Sequence, residues 1–275
     1  MCRHIAYVGP VVRLGKLLTD PEHSLVRQAW EPRRQQHGTV NADGFGLGWY
    51  AEGDPVPARY RRGKPVWGDA AFADLARVVR SGAVLAAVRD ATHPSSDGEA
   101  AAAPFSEGPW LFSHNGVLRD WPEALAHPAG PAAGLPPADL LSLAARSDSA
   151  FVWALVLRRL RAGEGLGDAL AGAVRELWAA VPGSRLNLLL TDGGSIAATA
   201  CGDSLWYLAE PEAAGGGRTV VASEPYDDDP RWCEVPDRSV LTATRTRVVV
   251  DPLPVAPLVP LQEHEPIQKH EENGL

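Results

Sequence analysis

Chemistry in this sequence concentrates first at Cys2, in the opening Met1-Cys2-Arg3-His4. A small second residue favours removal of the initiator Met, which would leave Cys2 with a free α-amine. Such an amine has a reference pKa of ~7.7–8.0 and a cysteine thiol ~8.5. Both lie close to neutral pH, so one residue can carry a nucleophile together with its own general base.

Three downstream motifs offer partners for that thiol. In Val88-Arg89-Asp90-Ala91-Thr92-His93, Arg89 ends an apolar run. A guanidinium fork there either clamps a carboxylate, with the Thr92 hydroxyl assisting, or makes a surface ion pair. In Phe112-Ser113-His114-Asn115-Gly116, the Asn115 amide and the Gly116 N–H are the donor types of an oxyanion hole. The same dipeptide is also a strong hairpin-turn signal. In Ser147-Asp148-Ser149, Asp148 either holds an ammonium group or serves as a helix cap.

The elements needed to position these residues are legible in outline. A buried strand is predicted over 3–9, starting at Cys2, and a loosely helical stretch over 14–30. The polar segment 31–42 reads as a loop. Strands follow at 44–51 and 58–61, and an amphipathic helix over 69–80, where Phe72, Leu75, Ala76 and Val79 share a face. Further strands are predicted at 83–88 and 110–113. The run 147–161 is apolar nearly all round and reads as a buried helix, followed by a helix over 166–180. Strand-like runs recur at 185–191, 195–200, 204–209, 218–223 and 246–251. The segment 126–139 reads as a surface loop. Strands early, helices in the middle and strands late imply an α+β layered domain.

With 275 residues, 22% charged and 45% hydrophobic, the chain is long enough to bury a substantial core. The net charge of -8 argues against a nucleic-acid partner. No run approaches the ~18 apolar residues of a membrane span, and the N-terminus lacks a signal-peptide pattern, so a cytoplasmic protein is expected. The three cysteines fit neither a disulfide framework nor a zinc site. Cys201 and Cys233 read as buried or half-buried thiols. Asp227-Asp228-Asp229 lacks the ligand spacing of a calcium loop, so no metal is expected.

Taken in order, Cys2, the stretch Asn41-Ala42-Asp43-Gly44-Phe45-Gly46-Leu47-Gly48-Trp49-Tyr50, Arg89 with Thr92, Ser113 to Gly116 and Ser147-Asp148-Ser149 resemble the class II glutamine amidotransferases. The resemblance runs from Cys2 to about Val250. It implies the fold of the N-terminal-nucleophile hydrolases, a four-layer α-β-β-α sandwich. One catalytic domain would occupy 2–251, with a flexible tail over 252–275. It also implies site roles. Cys2 would be the nucleophile, with its amine as base, and Asn115 and Gly116 the oxyanion hole. Arg89, aided by Thr92, would hold a glutamyl α-carboxylate, and Asp148 the α-ammonium. The ligand would be a small γ-glutamyl molecule, and no cofactor is needed.

Within that superfamily the chain is similar to the γ-glutamyl hydrolases of bacterial ergothioneine biosynthesis. The similarity is carried by Met1 to His4, Pro32-Arg33-Arg34-Gln35, Asn41 to Gly46, Ala103-Pro104-Phe105-Ser106, Ser147 to Ala150 and Ala222 to Pro230. It implies release of glutamate from γ-glutamyl-hercynylcysteine S-oxide. Ala150, His37-Gly38 and Ala103 depart from the usual amidotransferase pattern and point away from glutamine as substrate. The alternatives are a glutathione-type γ-glutamyl hydrolase, a glutaminase subunit, or a catalytically silent binder. The leaving group would bear a trimethylammonium, for which Phe45, Trp49, Tyr226 and Asp227 to Asp229 are candidates. Otherwise these residues are strand core and a solvated turn.

Overall fold

The computed structural model describes residues 2–91, 98–126, 130, 132, 135–210 and 216–254. Strand β1 (Cys2–Arg13) begins at the candidate nucleophile and runs longer than predicted. Its side chains alternate between two apolar clusters. Ile5 and Tyr7 join one, and Ala6 and Val8 join another. Both faces of this strand are therefore covered, and it lies inside the sandwich.

β1 is the middle strand of a seven-stranded antiparallel sheet. On one side it pairs with β4 (Arg80–Arg89), followed by β2 (Phe45–Trp49) and β3 (Ala58–Arg62). On the other side lie β10 (Arg218–Ala222), β9 (Trp206–Glu210) and the short β11 (Cys233–Glu234). The second sheet has six antiparallel strands. In spatial order these are β13 (Val248–Pro252), β12 (Ser239–Ala243), β8 (Ile196–Ala200), β7 (Arg185–Thr191), β6 (Trp110–Val117) and β5 (Phe105–Glu107).

Three apolar layers hold four layers of structure together. On the outer face of the first sheet, Ile5, Tyr7, Val84 and Val88 meet Leu17 and Leu18 of α1 (Gly15–Leu18). The same cluster takes in Leu25 of α2 (Leu25–Gln28) and Phe72 and Ala76 of α3 (Ala70–Val78). Between the sheets, Ala6, Val8, Ala83 and Leu85 meet Leu111, Leu189, Ala198 and Leu241. On the outer face of the second sheet, α5 (Asp148–Arg161) and α6 (Leu166–Ala180) cover Phe112, Leu188 and Leu190, with Trp153 stacked on Phe112 at 5.1 Å. This is the four-layer α-β-β-α sandwich the resemblance implies. The near-continuous apolar surface of α5 is explained by its place between β6 and α6.

Some local expectations change. The 14–30 stretch forms only two four-residue helices, because Pro21 and the Ser24 cap divide it. A short helix α4 (Pro137–Leu141) begins inside the predicted 126–139 loop, part of which lies outside the described residues. Strands β5, β11 and β12 are additions. β6 does not turn at Asn115-Gly116 but continues through it, with Asn115 opposite Asn187 and Gly116 opposite Leu186 on β7. Most of the predicted tail, from 255 onward, lies outside the described residues. Among the described residues, no helix is long and apolar enough to cross a membrane.

Candidate active site

Strand alternation brings the site together. Ala6 and Val8 face the seam between the sheets, so Cys2 and His4 share that face. By the same parity Arg89 follows Ala83 and Leu85, and Asn115 follows Leu111. Cys2 lies directly opposite Arg89 in the β1–β4 ladder. Across the seam, the Cys2 N–H donates to Asn115 Oδ1 at 3.1 Å. Behind it, His4 Nδ1 lies 3.1 Å from Ser113 Oγ. The two sheets thus meet through polar side chains at this end.

Asn115 is fully buried, and its Nδ2 has no hydrogen-bond partner among the described residues. An unpaired buried amide costs on the order of 1–3 kcal/mol, so a donor left in this state marks a place where an acceptor is expected to sit. Gly116 has φ +153, and a Cβ there would overlap the Arg185 carbonyl. Only glycine lets β6 pass this point.

Burial pushes the Cys2 thiol above its usual range. The N-terminal positive charge, the Arg89 guanidinium and a hydrogen bond from the Asp90 backbone draw it back down, and Asp148 pushes it up. Asp90 is a contributor that sequence reasoning missed, because a backbone donor leaves no signature in residue type.

Asp148 is not the helix cap. Ser147 caps α5 by accepting from Ala150 N at 3.2 Å. Asp148 Oδ2 instead accepts from Leu118 N at 3.0 Å, and Oδ1 from Ser149 N at 2.7 Å. This ties the start of α5 to the end of β6, beside Gly116. His114, on the outward face of β6, reinforces the join: its Nδ1 is 3.1 Å from Ser149 Oγ and its Nε2 2.9 Å from the Arg185 carbonyl.

The Asn41 to Gly46 stretch positions Arg89. Asp43 N donates to the Arg89 carbonyl at 2.9 Å, and Arg89 N donates to the Gly44 carbonyl at 2.8 Å. The Arg89 guanidinium donates to the Asp43 carbonyl at 3.3 Å, and the Asp43 carboxylate accepts from Ala91 N at 2.9 Å. Cys2, Arg89, Asn115, Gly116 and Asp148 are therefore gathered at one end of the seam. Thr92 lies outside the described residues.

The aromatic and acidic candidates for the leaving group are engaged elsewhere. Phe45 is buried edge-on to Phe72 at 5.3 Å, on the helical side of the first sheet, and Trp49 packs on the same cluster. Tyr226 is buried edge-on to Trp232 at 5.2 Å. Asp227 accepts from Trp232 Nε1 at 2.7 Å, Asp228 pairs with Arg33 at 3.0 Å, and Asp229 pairs with Arg231. Cys201 is buried as expected, whereas Cys233 is exposed because the two-residue β11 forms the edge of its sheet.

Residues 17–215 match the class-II glutamine amidotransferases. The chain belongs to that family and is a hydrolase. It is 43% identical to a gamma-glutamyl-hercynylcysteine sulfoxide hydrolase of Mycolicibacterium smegmatis, over 92% of this chain and 100% of the relative. To the protein of the same description from Mycobacterium tuberculosis it is 38% identical, over 92% of this chain and 97% of that one. Among solved structures, a glutamine aminotransferase class-II domain protein from Silicibacter pomeroyi superposes with a TM-score of 0.63. It is 24% identical and covers 93% of this chain and 100% of its own.

Proposed function

We propose that this protein hydrolyses the γ-glutamyl amide of γ-glutamyl-hercynylcysteine S-oxide, releasing glutamate and hercynylcysteine S-oxide in ergothioneine biosynthesis. One observation carries the chemistry. Asn115 Oδ1 accepts from the Cys2 nitrogen while its Nδ2 is buried without a partner among the described residues. A single amide thus touches the prospective base and presents a donor beside the prospective nucleophile. The substrate assignment is supported by the relatives at 43% and 38% identity.

The reaction is acyl transfer. Removal of Met1 frees the Cys2 amine, which takes the thiol proton as Sγ attacks the δ-carbonyl carbon. Negative charge on the carbonyl oxygen is met by Asn115 Nδ2 and the Gly116 N–H; one such donor contributes ~2.7–4 kcal/mol to the transition state. The amine then gives its proton to the leaving nitrogen. Water, activated by the same amine, hydrolyses the γ-glutamyl thioester. The glutamyl end carries one charge of each sign. Arg89, assisted by Thr92, holds its carboxylate and Asp148 its ammonium.

The test is a side-by-side assay on protein whose intact mass shows Met1 removed. γ-Glutamyl-hercynylcysteine S-oxide should exceed glutathione and glutamine in kcat/KM by at least ~10²-fold, the scale of discrimination a built leaving-group site supplies. Parity, or preference for either alternative, would overturn the substrate assignment.

A further inference from the structure

Glu224 belongs to the Ala222-Ser223-Glu224-Pro225-Tyr226 motif, and nothing in the mechanism above uses it. Its carboxylate is wholly buried. Its two oxygens accept two consecutive backbone N–H groups: Oε1 from Arg33 at 3.0 Å and Oε2 from Arg34 at 2.7 Å. Arg3, also wholly buried, faces it at 3.8 Å and donates through Nε to the Cys2 carbonyl at 2.9 Å. One buried carboxylate is thus joined on one side to the nucleophile's own peptide unit. On the other it holds the start of the 33–40 loop.

That loop reaches the site. Gly38 has φ +71, and a Cβ on it would overlap Asp90 Oδ2, the residue whose backbone hydrogen-bonds to the Cys2 sulfur. His37 acts electrostatically on Asp203, which pairs with Arg185 at 3.2 Å on the Gly116 side. Gln35 accepts from Asn41 Nδ2 at 3.0 Å, closing the loop base. The loop tip, Gln36 to Val40, is otherwise mostly exposed. Little besides its base and the Gly38 contact sets its position.

We propose that Glu224 is a positioning residue. By clamping the Arg33–Arg34 backbone and the Arg3 side chain together, it fixes the 35–40 loop as the wall of the leaving-group side and holds that wall in register with Cys2. The hold acts through backbone groups, and the Arg34 guanidinium lies separately over the Trp206 ring at 5.5 Å. A bound leaving group needs the wall in place, while the nucleophile and oxyanion donors stand on the strands without it. Loss of the clamp therefore weakens substrate binding more than chemistry. The kinetic part of this proposal rests on the hydrolase reading above, and the loop part does not.

The test compares wild type with Glu224→Gln, Arg34→Ala and Arg34→Pro by steady-state kinetics and by hydrogen exchange of peptides covering 33–40. Glutamine at 224 keeps one acceptor and loses the charge facing Arg3. It should raise KM about tenfold or more with a smaller change in kcat, and speed exchange in 33–40. Arg34→Ala keeps both clamped N–H groups and loses only the contact with Trp206, so it should change KM and exchange much less than Glu224→Gln. Arg34→Pro removes one clamped N–H while leaving Arg3 and Glu224 in place. It should reproduce the KM rise, and it stands as the test if Glu224→Gln is not recovered folded. Wild-type exchange in 33–40, or equal losses in kcat and KM effect with only a lowered Tm, would overturn the proposal. If the γ-glutamyl conjugate is not a substrate, the exchange comparison still decides whether Glu224 clamps the loop.

Discussion

The seam between the two sheets has two ends built from the same strands, and they differ in kind. Along β1 the inward residues run Cys2, His4, Ala6 and Val8; along β6 they run Leu111, Ser113 and Asn115. At the Leu111 end the sheets meet through alanine, leucine and valine. At the Cys2 end they meet through the Cys2 backbone N–H, an imidazole, a hydroxyl and an amide, joined at 3.1 Å in two places. An apolar seam holds the layers together without a fixed register of donors. The polar end does the reverse: His4, Ser113 and Asn115 are placed by directed hydrogen bonds, and two buried nitrogens, Asn115 Nδ2 and His4 Nε2, have no partner among the described residues. The site is the stretch of the sandwich where packing gives way to directed hydrogen bonds, and the apolar end supplies the rigidity that makes an unpaired buried donor tolerable.

The sharpest way to break this contrast is at Cys2. Cys2→Ala should fold, since Cys2 sits at the strand's start with a small side chain, and should lower turnover by at least ~10³-fold. Retained activity in single-turnover and steady-state assays would remove the thiol from the reaction. Next in size is a matched pair at the two ends. Asn115→Ala should lower kcat by ~10²–10³-fold, the scale of one lost oxyanion donor. Leu111→Ala, at a fully buried site in the apolar end, should cost ~2–5 kcal/mol in urea unfolding while kcat/KM moves little. Equal effects of both variants on kcat would mean that the two ends are not functionally distinct.

Much of this was legible in residue type and order. The buried start of β1, the amphipathic α3, the all-apolar α5 and the bounds of α6 followed from the apolar pattern, because each buries the surface that pattern declares. The candidate site was legible as a set: Cys2, Arg89, Asn115 and Asp148 all lie at the polar end. Three things were not. Asn115-Gly116 resembles a turn locally, but pairing with Asn187 and Leu186 carries β6 straight through it. Tertiary pairing overrode local signal there. Asp90 acts through its backbone, which any residue type possesses. Phe45 and Tyr226 are aromatic in the right motifs, yet strand parity and packing send them to the helical side of the first sheet. A motif shows that a residue matters without showing which face it serves.

The smallest expected effect concerns His4, the residue behind Cys2 on the polar face. Its backbone N–H donates to Ser223 Oγ at 3.0 Å and its ring meets Ser113, so it is held from both sheets. Burial, then the positive charge of Arg3 and the neighbouring His114, push its pKa from 6.5 down to about 3. In the unfolded chain the imidazole titrates near its ordinary value. Between those two pH values the unfolded state therefore binds a proton that the folded state refuses. Stability from this source is complete above about pH 6.5 and is lost as pH falls toward 3, at up to ~1.4 kcal/mol per pH unit. From pH 7 to pH 5 the wild type should lose ~2 kcal/mol through His4 alone. His4→Gln removes the titration, so its unfolding free energy should fall by that much less over the same interval, measured by urea denaturation at both pH values. Equal losses in the two proteins would place the acid sensitivity elsewhere. Leu111→Ala provides the contrast: it should lower stability by a constant amount at pH 7 and pH 5, because the apolar end has nothing to protonate.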